Sequence, residues 1–331
     1  MKATIKDVAK AAHVSTATVS RVLSNKKGTY REDTAKVVRK VADELGYHRN
    51  ISAAELASNE VKTIAIIINN TKTNFWQKVL DGIQAAIKEH HRNSIIFYAG
   101  NNDEAMLTEA INSALARSVS GILLIAAKAN HQQLQLLNRS GLPYRFVSIY
   151  GSDDHETKFI SSNNIKIGEL ATQYLINHGH TRIGLIGIDK SNTGKQRLLG
   201  YEKVMTKANQ VVEPGWIQYG DYSFECGEKL FKRVRNLGLT AVIAASDMTA
   251  AGILKAAHQY GYQIPQDLSI ISIDGTIDGT FICNITAPQL TSISQEFEKM
   301  GRISVENLIQ GTESQFIPVN VRERESVQNI D

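Results

Sequence analysis

From Val61 onward the chain repeats one local pattern, a short apolar run, a turn and then an amphipathic stretch of helical period. Apolar runs predict strands at Thr63–Ile68, Ser94–Tyr98, Gly121–Ala126 and Arg145–Ile149, and a second series at Arg182–Gly187, Ala241–Ser246 and Ser269–Ile273. Strands separated by helices cannot pair as hairpins, so the alternation predicts parallel sheets flanked by helices. Seven or more such units exceed one comfortable sheet, and two doubly wound α/β lobes are the economical solution. Ligands of such folds bind beyond the carboxyl ends of the strands, which places a cleft there. Runs such as "TIAIIIN" and "GILLIAA" are strand-length and far too short to span a bilayer. The N-terminus lacks the apolar core of an export signal, so a cytoplasmic location is expected. Cys226 and Cys283 lie far apart without metal-ligand spacing, which fits buried thiols in a reducing compartment.

The first 47 residues read differently, as helices with no strand. "TIKDVAKAA" places Ile5, Val8, Ala9 and Ala12 on one helix face, and Thr4 followed by Asp7 resembles a capping box. His13-Val14 breaks that pattern, and Ser15 or Thr16 caps a second helix running to about Asn25. A third, "REDTAKVVRKVADELGY", starts acidic and stops at Gly46, as the helix dipole and C-cap preference require. Charge is sorted between the two parts. Residues 1–50 hold 11 Lys and Arg against 5 Asp and Glu, whereas the other 281 hold 26 against 28. A small basic module ahead of a near-neutral body is what a polyanion-binding protein needs.

Two short helices joined by a tight turn and followed by a third make a helix-turn-helix unit, whose second helix enters the DNA major groove. Thr16 and Ala17 stand at the front of that helix, where a hydroxyl and a methyl can read base edges. Arg21 can reach guanine bidentately, worth about 1–3 kcal/mol of discrimination. Ser15, Thr18, Ser20 and Asn25 suit phosphate contacts, and Thr4 and Tyr47 complete the expected DNA-contact set. Val14, Val19, Val22 and Leu23 form the packing face. The competing reading is an ordinary capped amphipathic helix, which the flanking helices and the charge asymmetry disfavour.

"TIKDVAKAAHVSTATVSRVL", the closing "ELGYHRN" and the linker "AAELAS" closely resemble the LacI/GalR family of bacterial transcription factors. The resemblance runs on collinearly through "RSVSGILLI", "INHGHTRIGLIG", "RLLGYEKV", "AASDMTAAGILKAA" and "IPQDLSIISIDG". It implies a headpiece (1–48), a hinge helix (49–60) and a core (61–331) of periplasmic-binding-protein type. The core would divide into an N-lobe of about 61–161 and 292–318 and a C-lobe of about 162–291 and 319–331. It also implies that Leu56 wedges into the minor groove, unstacking a base step to bend the duplex. Relatives often carry a basic residue beside this leucine; this chain has Glu55 and then Glu60, so weaker sequence-independent binding is expected.

For the cleft, "NNTKTNFWQKVLDGI" follows the first strand and places Asn70, Asn74, Phe75 and Trp76 at its carboxyl edge, amides for hydroxyls and aromatic faces for rings. Either aromatic could instead be core. The resemblance adds Arg197, which clamps effector oxygens, with Asp274 as its acidic partner; a plain Arg–Asp ion pair is the alternative. It further implies Phe159, Tyr222 and Asp247, the last of which could instead cap the helix that follows it. Ser246-Asp247 replaces the Asn-Asp of many relatives, and Ile273-Asp274 replaces Tyr-Asp.

The expectation is a homodimeric repressor that binds a palindromic operator and is released by a small sugar, with no metal, cofactor or membrane partner. "VRERESVQNID" lacks the leucine heptads of a tetramerising tail. A corepressor-dependent regulator (purine, sugar phosphate or phosphocarrier protein) is the alternative. A sugar-metabolising enzyme is disfavoured, because "GIDKSNTGKQ" departs from P-loop spacing and "KEHHRN" lacks zinc spacing. A stand-alone solute-binding protein would need an export signal and no basic headpiece.

Overall fold

The computed structural model describes residues 3–24, 28–48, 61–73, 75–150, 157–276 and 288–330. The chain forms two compact units, residues 1–61 and 62–331.

In the first unit the helices are α1 (Ile5–Ala11), α2 (Thr16–Leu23) and α3 (Glu32–Glu44). Thr4 donates its backbone N–H (2.9 Å) and its hydroxyl (2.7 Å) to the Asp7 carboxylate at the start of α1. Ser15, rather than Thr16, caps α2, accepting the Thr18 N–H at 3.1 Å. Between them His13 takes φ +54°, the left-handed residue that turns the chain tightly enough for α1 and α2 to pack. Val8, Ala9, Ala12, Val19, Val22, Ala35, Val38 and Ala42 are buried together, with Ile5, Val14, Leu23 and Tyr47 packed around them.

The second unit contains two six-stranded sheets. The first comprises β1 (Thr63–Ile68), β2 (Asn93–Tyr98), β3 (Gly121–Ile125), β4 (Tyr144–Val147), β5 (Phe159–Ser162) and β11 (Gln315–Ile317), in the order 11-5-4-3-1-2. Every pairing in it is parallel. The second comprises β6 (Ile183–Ile188), β7 (Ile217–Tyr219), β8 (Ala241–Ala244), β9 (Ser269–Asp274), β10 (Thr291–Ser294) and β12 (Asn320–Arg322), in the order 12-10-9-8-6-7. It is parallel except for β12 against β10. Helices on both faces bury the central strands: β3 and β6 are buried at every residue, which is why they read as unbroken apolar runs.

The sequence-predicted strands are present, Thr63–Ile68 with the expected ends and the others with shifted ones. Gly121–Ala126 and Arg145–Ile149 overrun because Ala126 (φ +53°) and Ser148 (φ +74°) turn out of the sheet into the left-handed region. β5, β7, β10, β11 and β12 carry no apolar run and were not predicted. β10 lies wholly in the second sheet, so the chain crosses back to the first lobe after Ser294 rather than near 291.

Three helix pairs in this unit meet through reciprocal glycines. A Cβ at Gly82 would lie 1.9 Å from the Glu298 carbonyl oxygen, and one at Gly301 would lie 2.0 Å from that of Val79. The same holds for Gly168 and Gly200, against Arg197 (2.2 Å) and Ile165 (2.1 Å), and for Gly227 and Gly252, against Thr249 (2.1 Å) and Phe224 (2.0 Å). Backbone therefore touches backbone at each crossing, and no side chain larger than hydrogen fits. Gly200→Ala should cost about 1–3 kcal/mol through overpacking. Thermal or urea unfolding checks this; an unchanged midpoint would mean that the crossing opens freely.

Candidate functional site

On the surface of the first unit, α2 divides into two faces. Val19 and Val22 are buried, whereas Thr16, Ala17 and Arg21 are exposed together, as a base-reading face requires. Thr18 and Ser20 are half-buried, and the Ser15 and Thr18 hydroxyls bond each other at 2.9 Å as part of the cap. Thr4 is exposed at the α1 N-terminus, and Tyr47 packs on the small core. Asn25, Glu55, Leu56 and Glu60, like Asn74 and Cys283, lie outside the described residues.

In the second unit a cavity of about 390 Å³ collects the carboxyl ends of strands from both sheets. Asn69, Asn70 and Lys72 follow β1, Ala126 and Lys128 follow β3, and Ser148 follows β4. From the other lobe come Asp189 after β6, Asp221 and Tyr222 after β7, Asp274 ending β9 and Gln295 after β10. Of the sequence-predicted residues the cavity brings together Asn70, Phe75, Arg197, Tyr222 and Asp274. Phe75 also stacks on Phe297 (centroids 4.7 Å apart, planes 17°), so it is both core and lining.

Three predicted residues sit elsewhere. Trp76 packs against the apolar core, with its indole nitrogen buried and without a hydrogen-bond partner. Phe159 stacks on Tyr150 (4.6 Å) and leans on Phe316 (5.1 Å) at the sheet edge. Asp247 is buried beneath the cavity: it accepts from the Ser272 hydroxyl (2.5 Å), the Thr276 N–H (2.6 Å) and the Thr276 hydroxyl (3.0 Å). Nor is Asp247 the helix cap, because Ser246 accepts the Thr249 N–H at 3.0 Å and donates its hydroxyl to the Tyr222 carbonyl at 2.7 Å. The serine that replaces a family asparagine thus fastens the Tyr222 loop.

Arg197 and Asp274 both lie at the buried floor of the site, yet they form no ion pair within 4 Å. Arg197 donates Nε to Asn164 (3.1 Å) and Nη1 to the Ala245 carbonyl (2.8 Å), which uses part of its donor set. Its guanidinium carbon is 5.8 Å from the Tyr222 ring centroid. Asp274 accepts from Gln295 at 2.7 Å. Burial, then the neighbouring charge of Asp247, push the Asp274 carboxyl up to about 8 against the pull of Arg197 and Gln295. The Tyr222 hydroxyl donates to Asp189 at 2.7 Å, and burial raises its pKa.

Sequence reasoning missed Asn69, Lys72, Asn102, Lys128, Asp189, Asp221, Gln295 and Phe297. Asn69 joins three strand-end loops: its amide donates to Asn102 (3.1 Å) and to the Ala126 carbonyl (3.0 Å), and its oxygen accepts the Asn102 N–H (2.7 Å). Most of them share a position just beyond a strand's carboxyl end, a signal used after β1 only for amides and aromatics and not carried to β3, β6 and β7. Among the described residues no cluster of His, Cys, Asp and Glu could hold a metal ion, and no helix is long and apolar enough to cross a membrane.

Comparison with known proteins gives two domain matches: bacterial regulatory proteins of the lacI family over residues 4–50, and a periplasmic binding protein-like domain over 172–327. The HTH-type transcriptional repressor PurR of Actinobacillus pleuropneumoniae serotype 3 is 32% identical over 308 residues, covering 90% of this chain and 88% of that protein. The ribose operon repressor of Haemophilus influenzae is 32% identical over 311 residues, covering 93% and 91%. A transcription regulator from Lactobacillus plantarum, known from its crystal structure, is 43% identical with a TM-score of 0.73, covering 81% of this chain and all of that one. The lac repressor dimer bound to operator and the anti-inducer ONPF shares the fold, at TM-score 0.84 and 24% identity, covering 99% and 100%.

The raised Asp274 pKa makes a signed prediction. Because the folded value lies above the ordinary 3.8, the stability linked to this proton is fully present below that pH and is lost as pH rises towards 8. Asp274→Asn should therefore become progressively more stable than the parent between about pH 4 and pH 8. Melting temperatures across that range decide it, and a constant difference would mean that Asp274 ionises normally.

Proposed function

This chain belongs to the LacI family of bacterial regulatory proteins, and from that premise we propose that it is a dimeric, operator-binding repressor released by an uncharged, polyhydroxylated effector such as a sugar. DNA binding and transcriptional repression come with the family. The dimer, the effector class and the sign of the response are this proposal's own. One observation carries the effector reading: a single cavity draws amides, an arginine, carboxyl groups and an aromatic pair from the strand ends of both lobes.

The chemistry of that lining favours a neutral ligand. Lys72 is paired with Asp221, and Lys128 lies 3.9 Å from Asp189, so both lysines already face a carboxylate. Arg197 and the amides of Asn70, Asn102 and Gln295 offer directed donors, and an un-ionised Asp274 offers another. Phe75 and Phe297 supply an apolar face. A phosphorylated ligand would have either to displace one of these ion pairs or to rest on Arg197, whose Nε and Nη1 are already engaged.

On the DNA side, two copies of α2 related by a two-fold axis would read a palindrome, with Arg21, Thr16 and Ala17 against bases. Such a protein works beside the chromosome, and the proposal places it in the cytoplasm. The cavity serves binding in this reading, with no reaction assigned to it. An effector touching both lobes alters operator affinity by its differential affinity for the two core states, typically about 1–3 kcal/mol.

Selection of bound duplexes from a random DNA pool, repeated with a panel of mono- and disaccharides, tests this directly. The expected result is a palindrome that is lost when one sugar is present. A palindrome indifferent to every sugar would turn the reading towards a purine, sugar-phosphate or protein corepressor, and failure to enrich any sequence would defeat it. Arg21→Ala should abolish discrimination among selected sites while leaving effector affinity intact. Arg197→Ala should bind operator and ignore the sugar; a normal sugar response would reduce Arg197 to a structural role.

A further inference from the structure

The exposed charges around the cavity are sorted by lobe. The charged residues that the first lobe brings to its lining are Lys72 and Lys128, after β1 and β3. The exposed or half-exposed charges from the second lobe are Asp189 and Asp221, after β6 and β7. Each lysine meets one of these carboxylates across the cleft: Lys72 bonds Asp221, and Lys128 stands 3.9 Å from Asp189. The carboxylates are themselves held in place. Asp221 accepts the Ser223 hydroxyl at 2.6 Å, while Asp189 accepts those of Ser191 and Tyr222, both at 2.7 Å.

We propose that Lys72–Asp221 and Lys128–Asp189 form an electrostatic latch that sets the balance between closed and open lobes before any effector binds. Both pairs cross from one lobe to the other, so lobe separation breaks both together and leaves two cations on one rim facing two anions on the other. A merely decorative surface pair joins neighbours on one element, as Lys40 and Glu44 do on α3. These pairs join segments distant in sequence, and their length follows the opening angle of the cleft. Burial raises the Asp221 carboxyl, but the bonds from Lys72 and Ser223 outweigh it and bring its pKa down to about 2, so the pair stays charged at any physiological pH.

Solvent-exposed ion pairs are individually weak, so each should change the closed-to-open ratio by about 1.5- to 5-fold, which still moves an equilibrium near balance appreciably. Because exposed charges are screened, the latch should slacken as salt rises. Measured in the free chain, it requires neither an identified effector nor an operator, so it stands or falls separately from the proposed function.

The test measures inter-lobe distance in the full chain without ligand, by pulsed electron paramagnetic resonance. Spin labels are carried on a non-natural ketone amino acid at Glu109 and Lys232, exposed helix positions on opposite lobes. The expected result is a distance distribution that shifts towards the open form between ~20 mM and ~500 mM salt, a range that takes the screening length from well above to well below 10 Å. Lys72→Asp should shift it the same way at low salt, and adding Asp221→Lys should restore it. Lys72→Gln, which removes charge without introducing repulsion, should give an intermediate shift. A distribution unmoved by salt and by Lys72→Asp, or a double exchange no closer to the parent than the single one, would overturn the latch.

Discussion

The effector core depends on helices that approach until their backbones touch. At each of three crossings, two glycines face carbonyl oxygens of the opposite helix at distances that would admit no Cβ. This closeness bears directly on the cavity: Gly168 rests on the carbonyl of Arg197 itself, and Gly301 rests on the helix that begins at Trp76, next to Phe75. A wider crossing would withdraw the guanidinium and the aromatic pair from their places, because a side chain's reach is fixed once its backbone is fixed. Packing density in the helical layer thus becomes positional accuracy at the strand ends.

Those strand ends carry conformational cost as well. Asn102, Ala126, Ser148, Tyr222 and Asp274 all take positive φ without being glycine, and all line the cavity. Such conformations cost on the order of 1–3 kcal/mol each and persist only where the surroundings impose them. Here Asn69 ties the Asn102 and Ala126 loops together, Ser246 holds the carbonyl of Tyr222, and Gln295 anchors Asp274. The sharp reversals lead the chain from sheet to helix while leaving polar groups turned to the cavity. Specificity for a hydrogen-bonding ligand and local strain are two aspects of the same construction.

The legible part of this protein was whatever local physics dictates. Val8, Ala9, Val19 and Val22 announce the headpiece core through helical spacing, and the strands buried on both faces announce themselves as continuous apolar runs. Ser15 caps α2 because a short hydroxyl side chain can accept an exposed N–H where a helix begins, while at α1 the Asp7 carboxylate reaches back to accept the Thr4 N–H and hydroxyl. What was not legible depends on partners far along the chain. β5 and β10 are serine-rich and short, and they are strands only because β4 and β9 offer them edges. Lys72 gains meaning from Asp221, and Asn69 from Asn102. Trp76 was misplaced because an aromatic residue just after a strand can face the core as easily as the cleft. Asp247 was misplaced because the hydroxyls that satisfy it, on Ser272 and Thr276, come from a strand end some 25 residues away.

Regulation requires that the cavity and the headpiece share one equilibrium, and thermodynamic linkage makes that claim measurable without assuming a route between them. Once a sugar and an operator have been identified, the affinity for the sugar should be measured by calorimetry on the free protein and again on the operator complex, alongside operator affinity with and without the sugar. The sugar should bind more weakly to the operator complex, by the same factor, about 5- to 150-fold, by which it weakens operator binding. Equal sugar affinity in the two states would contradict it, because a ligand indifferent to DNA cannot release it.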